Sequence, residues 1–150
     1  MKIVIQRVSK ASVTIRNNKI AAIEKGLLIL LGIVDADGQE DINFLVRKIA
    51  NLRIFNDEKG VMNTSLLEVH GDAIVVPQFT LQASTKKGNR PSYIKAAKPE
   101  IAIVLYENFV QTLEKEIGEK VQTGEFGADM KVELLNDGPV TIIIDSKNKE

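Results

Sequence analysis

One stretch limits the possible folds more than any other. Leu27-Leu28-Ile29-Leu30-Leu31-Gly32-Ile33-Val34, bounded by Gly26 and Asp35, has no polar residue to mark a solvent-facing side. A half-exposed strand alternates apolar and polar side chains, so an unbroken apolar run of this length is expected of a strand covered on both faces. Such a strand needs structure above and below it. The chain must therefore build layers.

The surrounding patterns say what the layers are made of. Ile3, Ile5 and Val8, then Ala11, Val13 and Ile15, recur in the period of two expected of half-buried strands. Arg16-Asn17-Asn18-Lys19 is a polar turn, and Ile20 to Glu24 the returning strand. Two segments take helical spacing instead. Ile42, Leu45, Val46, Ile49 and Leu52 follow the acids Glu40 and Asp41; Ala102, Leu105, Phe109, Leu113 and Ile117 lie between Pro99 and Gly118. Acids suit a helix start, proline its first turn, and glycine its end. Ala73 to Val76, Lys131 to Leu135 and Pro139 to Ile144 are further β-prone segments. Ser146 to Glu150 is expected to fray.

No linker, repeat or low-complexity tract interrupts residues 1–150, so they read as one domain of the α/β class. It is expected to be layered (β/β/α), with mixed sheets and two main helices on one face. A doubly wound sheet would need more crossover helices. A chain of 150 residues can bury a sizeable core.

Composition narrows the chemistry. With no cysteine and one histidine, His70, the chain offers no thiolate nucleophile, no Cys-ligated metal and no multi-histidine metal site. Asp35, Asp37, Glu40 and Asp41 lack calcium-loop spacing and suit a helix start better. No metal or other cofactor is expected. Charge appears already at Lys2 and no apolar run approaches the ~20 residues of a membrane span, so a cytoplasmic protein without membrane contact is expected. Twenty basic and twenty acidic residues cancel, which argues against a globally basic, DNA-coating protein.

Three stretches break their local pattern. Val76-Pro77-Gln78-Phe79-Thr80-Leu81 leaves a buried strand through a proline; it is either a plain strand exit or a place where Gln78, Phe79 and Thr80 face a ligand. Gln82 to Lys98 holds Lys86, Lys87, Arg90, Lys95 and Lys98 without one acid. It is either a solvated loop or a phosphate footprint. Asn136-Asp137-Gly138-Pro139 lies between two β-prone segments, as a hairpin turn would. His70, in Glu68-Val69-His70-Gly71-Asp72, is expected at a turn, since no serine elbow accompanies it.

Taken in order, Pro77-Gln78-Phe79-Thr80-Leu81, Lys87-Gly88-Asn89-Arg90-Pro91-Ser92-Tyr93 and Asn136-Asp137-Gly138-Pro139-Val140-Thr141 closely resemble the D-aminoacyl-tRNA deacylases, also called D-tyrosyl-tRNA deacylases. Gln6-Arg7-Val8, Leu52-Arg53-Ile54-Phe55 and Gly124-Glu125-Phe126-Gly127-Ala128-Asp129-Met130 extend the resemblance. The family resemblance implies a homodimeric hydrolase that splits the ester between a D-amino acid, or glycine, and tRNA. It implies Gln78, Phe79 and Thr80 as catalytic residues, with Pro77 and Asn136 beside the substrate. Gly138-Pro139, cis in the family, would enter the partner's pocket and exclude L side chains. Lys86, Lys87 and Arg90 would meet the tRNA.

Two catalytic routes are open: Thr80 as nucleophile, or water attack assisted by the 2′-hydroxyl of the tRNA. The second is favoured, because no base lies near Thr80 in sequence. Pro77 stands where the family usually has serine. A related branch that removes L-alanine also carries Pro-Gln there but differs at Phe79. The other expectations weighed are that L-alanine deacylase, a non-catalytic tRNA-binding module, and a purely structural dimer.

Overall fold

The computed structural model describes residues 1–150. Its strands are β1 (Lys2–Ile15), β2 (Asn18–Ile23), β3 (Gly26–Gly32), β4 (Phe55–Asn56), β5 (Met62–Thr64), β6 (Asp72–Pro77), β7 (Gln122–Thr123) and β8 (Lys131–Asp145). Helices α1 (Gln39–Asn51) and α2 (Pro99–Ile117) lie between them, and a 3-10 turn covers Phe79–Gln82. The main sheet runs β2-β1-β3-β6-β7, with β8 along the free side of β1. It is mixed, because β3-β6 and β6-β7 are parallel and the other pairs antiparallel.

The unbroken apolar run is explained by two cores, one on each face of β3. Leu27, Ile29 and Leu31 join Ile3, Ile5 and Val75 against α1 and α2. Leu28 points the other way, with Val8, Val13, Ile23, Ile74 and Val76. This second core exists because β1 changes neighbours: Lys2–Val8 pairs with β3 and Ala11–Ile15 with β2. The sheet thereby curls over its own face. The Gln122 side-chain amide joins its two edges, donating to Ala22 O and accepting from Ala22 N–H, both at 2.7 Å. The architecture is the expected layered α/β one, with both helices on one face and a mostly closed sheet supplying the other layers.

Helix boundaries follow their signals. Asp41 accepts from Gly38 N–H at 2.9 Å to start α1. Pro99 opens α2, and Gly118 ends it with φ of 72°, a left-handed value that glycine adopts without penalty. His70 is exposed, with φ of 51°, in the turn before β6.

Two expectations need correction. Lys131–Leu135 and Pro139–Ile144 are not separate hairpin strands. Both belong to the 15-residue β8 and pair with β1. Val8 pairs with Asn136 and Gln6 with Thr141, so Asp137 to Val140 oppose Arg7 alone and bulge outward. The chain end does not simply fray either. Ser146 is buried; its Oγ accepts from the Met1 amine at 2.9 Å and donates to Asp41 Oδ1 at 2.6 Å. The same amine pairs with Asp37, and Lys147 Nζ lies 2.9 Å from Asp41. Buried carboxylates are costly without partners; the Met1 amine supplies one for Asp37 and the tail supplies them for Asp41.

Candidate active site

The site begins where β6 stops pairing. Gln78 N–H continues the ladder for one more bond, to Leu31 O at 2.8 Å; the chain then turns, with Leu81 N–H donating to Gln78 O at 3.2 Å. The amides of Phe79 and Thr80 precede that bond and have no partner within the turn. The turn rests directly on β3 because Gly32 lacks a side chain. A Cβ at Gly32 would lie 2.8 Å from Leu81 Cβ and 3.2 Å from Gln78 O.

Gln78 Nε2 donates to Thr80 Oγ1. No imidazole, carboxylate or amine hydrogen-bonds that hydroxyl, and an amide N–H donor cannot take its proton. The cleft beside it is lined by Leu31, Ile33, Pro77, Phe79, Ala97 and Phe126, among others. Its volume is only about 20 Å³, little more than one water needs. Tyr106, buried behind it, donates to Val75 O at 3.0 Å, and burial pushes its phenol up to about 12. It serves there as a neutral brace.

The second expected site element lies elsewhere on the chain. Gly138 and Pro139 are exposed, their peptide is cis, and neither lines the cleft of their own chain. What holds them is Arg7, only 6% exposed: Nε donates to Asp137 O at 2.9 Å and Nη1 to Ile54 O at 2.7 Å. The Asp137 carboxylate lies 3.8 Å from Nε. Asn136 Nδ2 donates to Arg7 O at 3.0 Å and Val140 O at 2.9 Å, closing the base of the bulge. Gly138 has φ of 132°, and a Cβ there would meet Val140 Cγ2 at 2.8 Å and Arg7 Nη2 at 2.9 Å. No role for Arg7 was apparent from sequence. Its signals are a charged residue where the apolar alternation of β1 changes phase and its place in the Gln6-Arg7-Val8 match, neither of which says what it holds.

Lys86, Lys87 and Arg90 are exposed on a loop closed by a reciprocal pair, Ser84 N–H to Ser92 O at 2.8 Å and Ser92 N–H to Ser84 O at 2.9 Å. All five ion pairs of the structure lie outside this segment, so its cations are unneutralised. Tyr93 follows the bridge and packs edge-to-face on Phe79, with ring centroids 5.0 Å apart. The basic loop therefore touches the turn that carries Thr80. No group of three or more His, Cys, Asp or Glu side chains gathers as a metal site.

The chain is similar to known proteins over most or all of its length. The family model for D-Tyr-tRNA(Tyr) deacylase matches residues 4–145. A D-aminoacyl-tRNA deacylase of Flavobacterium psychrophilum is 71% identical over 150 residues, and one of Bacteroides fragilis (strain YCH46) 67%, each match covering all of both chains. Among solved structures, one named c-Myc DNA Unwinding Element Binding Protein is 42% identical, with a TM-score of 0.89 over 97% of this chain and 98% of its own. Another, of a probable eukaryotic D-amino acid tRNA deacylase, shares the fold at 17% identity and a TM-score of 0.82, covering 95% and 97%. Family model and full-length identity agree: the chain belongs to the D-aminoacyl-tRNA deacylase family.

Proposed function

We propose that the chain hydrolyses the ester joining a D-amino acid to tRNA, releasing both, and acts on glycyl esters as well. The relatives' names carry the reaction class. The observation that carries the assignment of parts is the rigid, exposed Gly138-Pro139 bulge, held by a buried arginine yet absent from its own cleft. On one chain the cleft is a shallow surface feature that does not enclose an aminoacyl ester. Two copies of the chain complete it: Gly138 and Pro139 of one enter the cleft of the other. Their backbone carbonyls face the substrate's amino group and leave no space for an L side chain, so selection is by exclusion.

Thr80 lacks a base, so it is not the nucleophile. Water attacks the ester carbon, the neighbouring 2′-hydroxyl takes part in the proton transfer, and the carbon–oxygen bond to the ribose breaks as that oxygen gains a proton. The amides of Phe79 and Thr80 stabilise the oxyanion while Gln78 holds the turn. Lys86, Lys87 and Arg90 draw in the acceptor end. No helix is long and apolar enough to cross a membrane, and the enzyme works with the tRNA pool of the cytoplasm.

The test is amino-acid release from D-Tyr-, Gly- and L-Ala-charged tRNA at substoichiometric protein. Fastest release of D-tyrosine with slower release of glycine is expected. Preference for L-alanine would move the chain to the L-alanine branch, and binding without release would leave only an RNA-binding module.

A further inference from the structure

The chain has five phenylalanines and two tyrosines and no tryptophan. Only two of these rings are exposed, Phe79 at 55% and Tyr93 at 39%, and they touch. Neither ring belongs to a core of its own chain, and single-stranded RNA is held by stacking bases on such rings while basic side chains follow the phosphates. The two chain neighbours of Tyr93, Ser92 and Ile94, face a basic cleft that the rings themselves do not line. Lys86, Lys87 and Lys95, with Ser84 and Ser92, line an open cleft of about 350 Å³, within the range of small-ligand sites.

Thr80 adjoins Phe79, Phe79 touches Tyr93, and the residues flanking Tyr93 open onto the lysine cleft. We infer that Tyr93 is the platform for the base next to the esterified nucleoside, with Lys86, Lys87 and Lys95 around its phosphate. Phe79 adjoins the ester site, so the terminal nucleoside occupies its side of the pair. Tyr93 is the next ring outward and meets the following base. This rests on the deacylase reading and adds a second nucleotide to the site. It also gives the Phe79–Tyr93 contact a purpose: a base seated on Tyr93 bears on the ring beside the reacting ester.

Steady-state deacylation of three D-tyrosyl esters tests it: charged tRNA, the esterified terminal nucleoside alone, and the esterified terminal dinucleotide. Tyr93→Leu and Tyr93→Phe are compared with the unaltered protein, with thermal melting as the check on folding. For Tyr93→Leu, KM rises about tenfold or more on tRNA and on the dinucleotide, kcat holds, and the nucleoside ester is unaffected. Tyr93→Phe keeps the ring and behaves as the parent. Equal loss on the nucleoside ester would overturn the inference, because Tyr93 would then only shape Phe79. An unchanged KM on tRNA, or a Tyr93→Phe variant as impaired as Tyr93→Leu, would overturn it too. An unaltered protein inert on all three esters removes the deacylase reading and this inference with it.

Discussion

The bulge at 136–140 and the basic loop at 84–92 are both exposed, polar, glycine-bearing excursions, yet they are held in different ways. The bulge is tied by a buried arginine and an asparagine amide that reach Asp137, Ile54 and Val140. The basic loop has one reciprocal Ser84–Ser92 pair and an aromatic contact. If the bulge selects by clash, as proposed, it must not yield, because any give admits the wrong substrate. A part that works by charge tolerates movement, since Coulomb attraction falls slowly with distance.

Altering the rigid part should therefore have the largest effect. Gly138→Ala places a methyl group within 3 Å of Val140 Cγ2 and Arg7 Nη2, at a φ that L residues rarely adopt. The bulge must shift, and a shift of about 1 Å at a positioning element is worth about 100-fold in rate. Single-turnover deacylation should show that loss while the far-ultraviolet spectrum stays unchanged. A variant with near-normal rate and normal D-over-L selectivity would mean the bulge need not be rigid. Arg7→Ala should match it in activity and also cost about 2–3 kcal/mol of stability, because Asp137 O and Ile54 O lose a charged donor.

A milder break falls on the 78–80 turn, the proposed catalytic element. Thr80→Val removes the hydroxyl but keeps the backbone amides, so the water route predicts a rate within about tenfold of normal. Near-total loss together with a trapped acyl group on Thr80 would reinstate the threonine as nucleophile. Smaller again is the yielding part. Lys86→Ala combined with Lys87→Ala should weaken tRNA binding and reduce the slope of log affinity against log salt by about 1.4, at about 0.7 per single-strand phosphate contact. D-over-L selectivity should not move, and if it does, the two loops are not separable.

The same contrast explains what was legible from sequence. β3 and its two cores were visible because burial on both faces leaves its mark in consecutive residues, Leu27 to Val34. The two helices were visible because their apolar spacing is local. The joining of 131–135 to 139–144 was not, because Asn136-Asp137-Gly138-Pro139 has turn composition and only Arg7, some 130 residues earlier, turns it into a bulge. The peptides 77–81 and 136–141 stood out, but the devices that place them did not. The seat at Gly32 is a close approach between backbones, and the arginine brace is a long-range contact. Neither writes a motif. The docked tail escaped for the same reason, its partners Met1 and Asp41 being over 100 residues away.

That tail gives the smallest effect and the last test of the comparison, because it fixes the end of β8, the strand whose middle carries the bulge. Burial alone would raise the Asp41 carboxyl, but hydrogen bonds from Ser146, Lys147 and Gly38 outweigh it and lower the group from 3.8 to about 2. A carboxyl depressed in the folded state contributes stability that is fully present above the unfolded value and fades as pH falls through the folded one. The loss therefore lies between about pH 4 and pH 2. Urea midpoints across this range should fall for the unaltered protein and fall less steeply for Asp41→Asn, which has no charge to lose. Deacylation by Asp41→Asn at neutral pH should stay normal, because Arg7 and Asn136 hold the bulge without help from the strand end. A large activity loss in that variant would show that the rigidity of the bulge is borrowed from the whole of β8 rather than made locally.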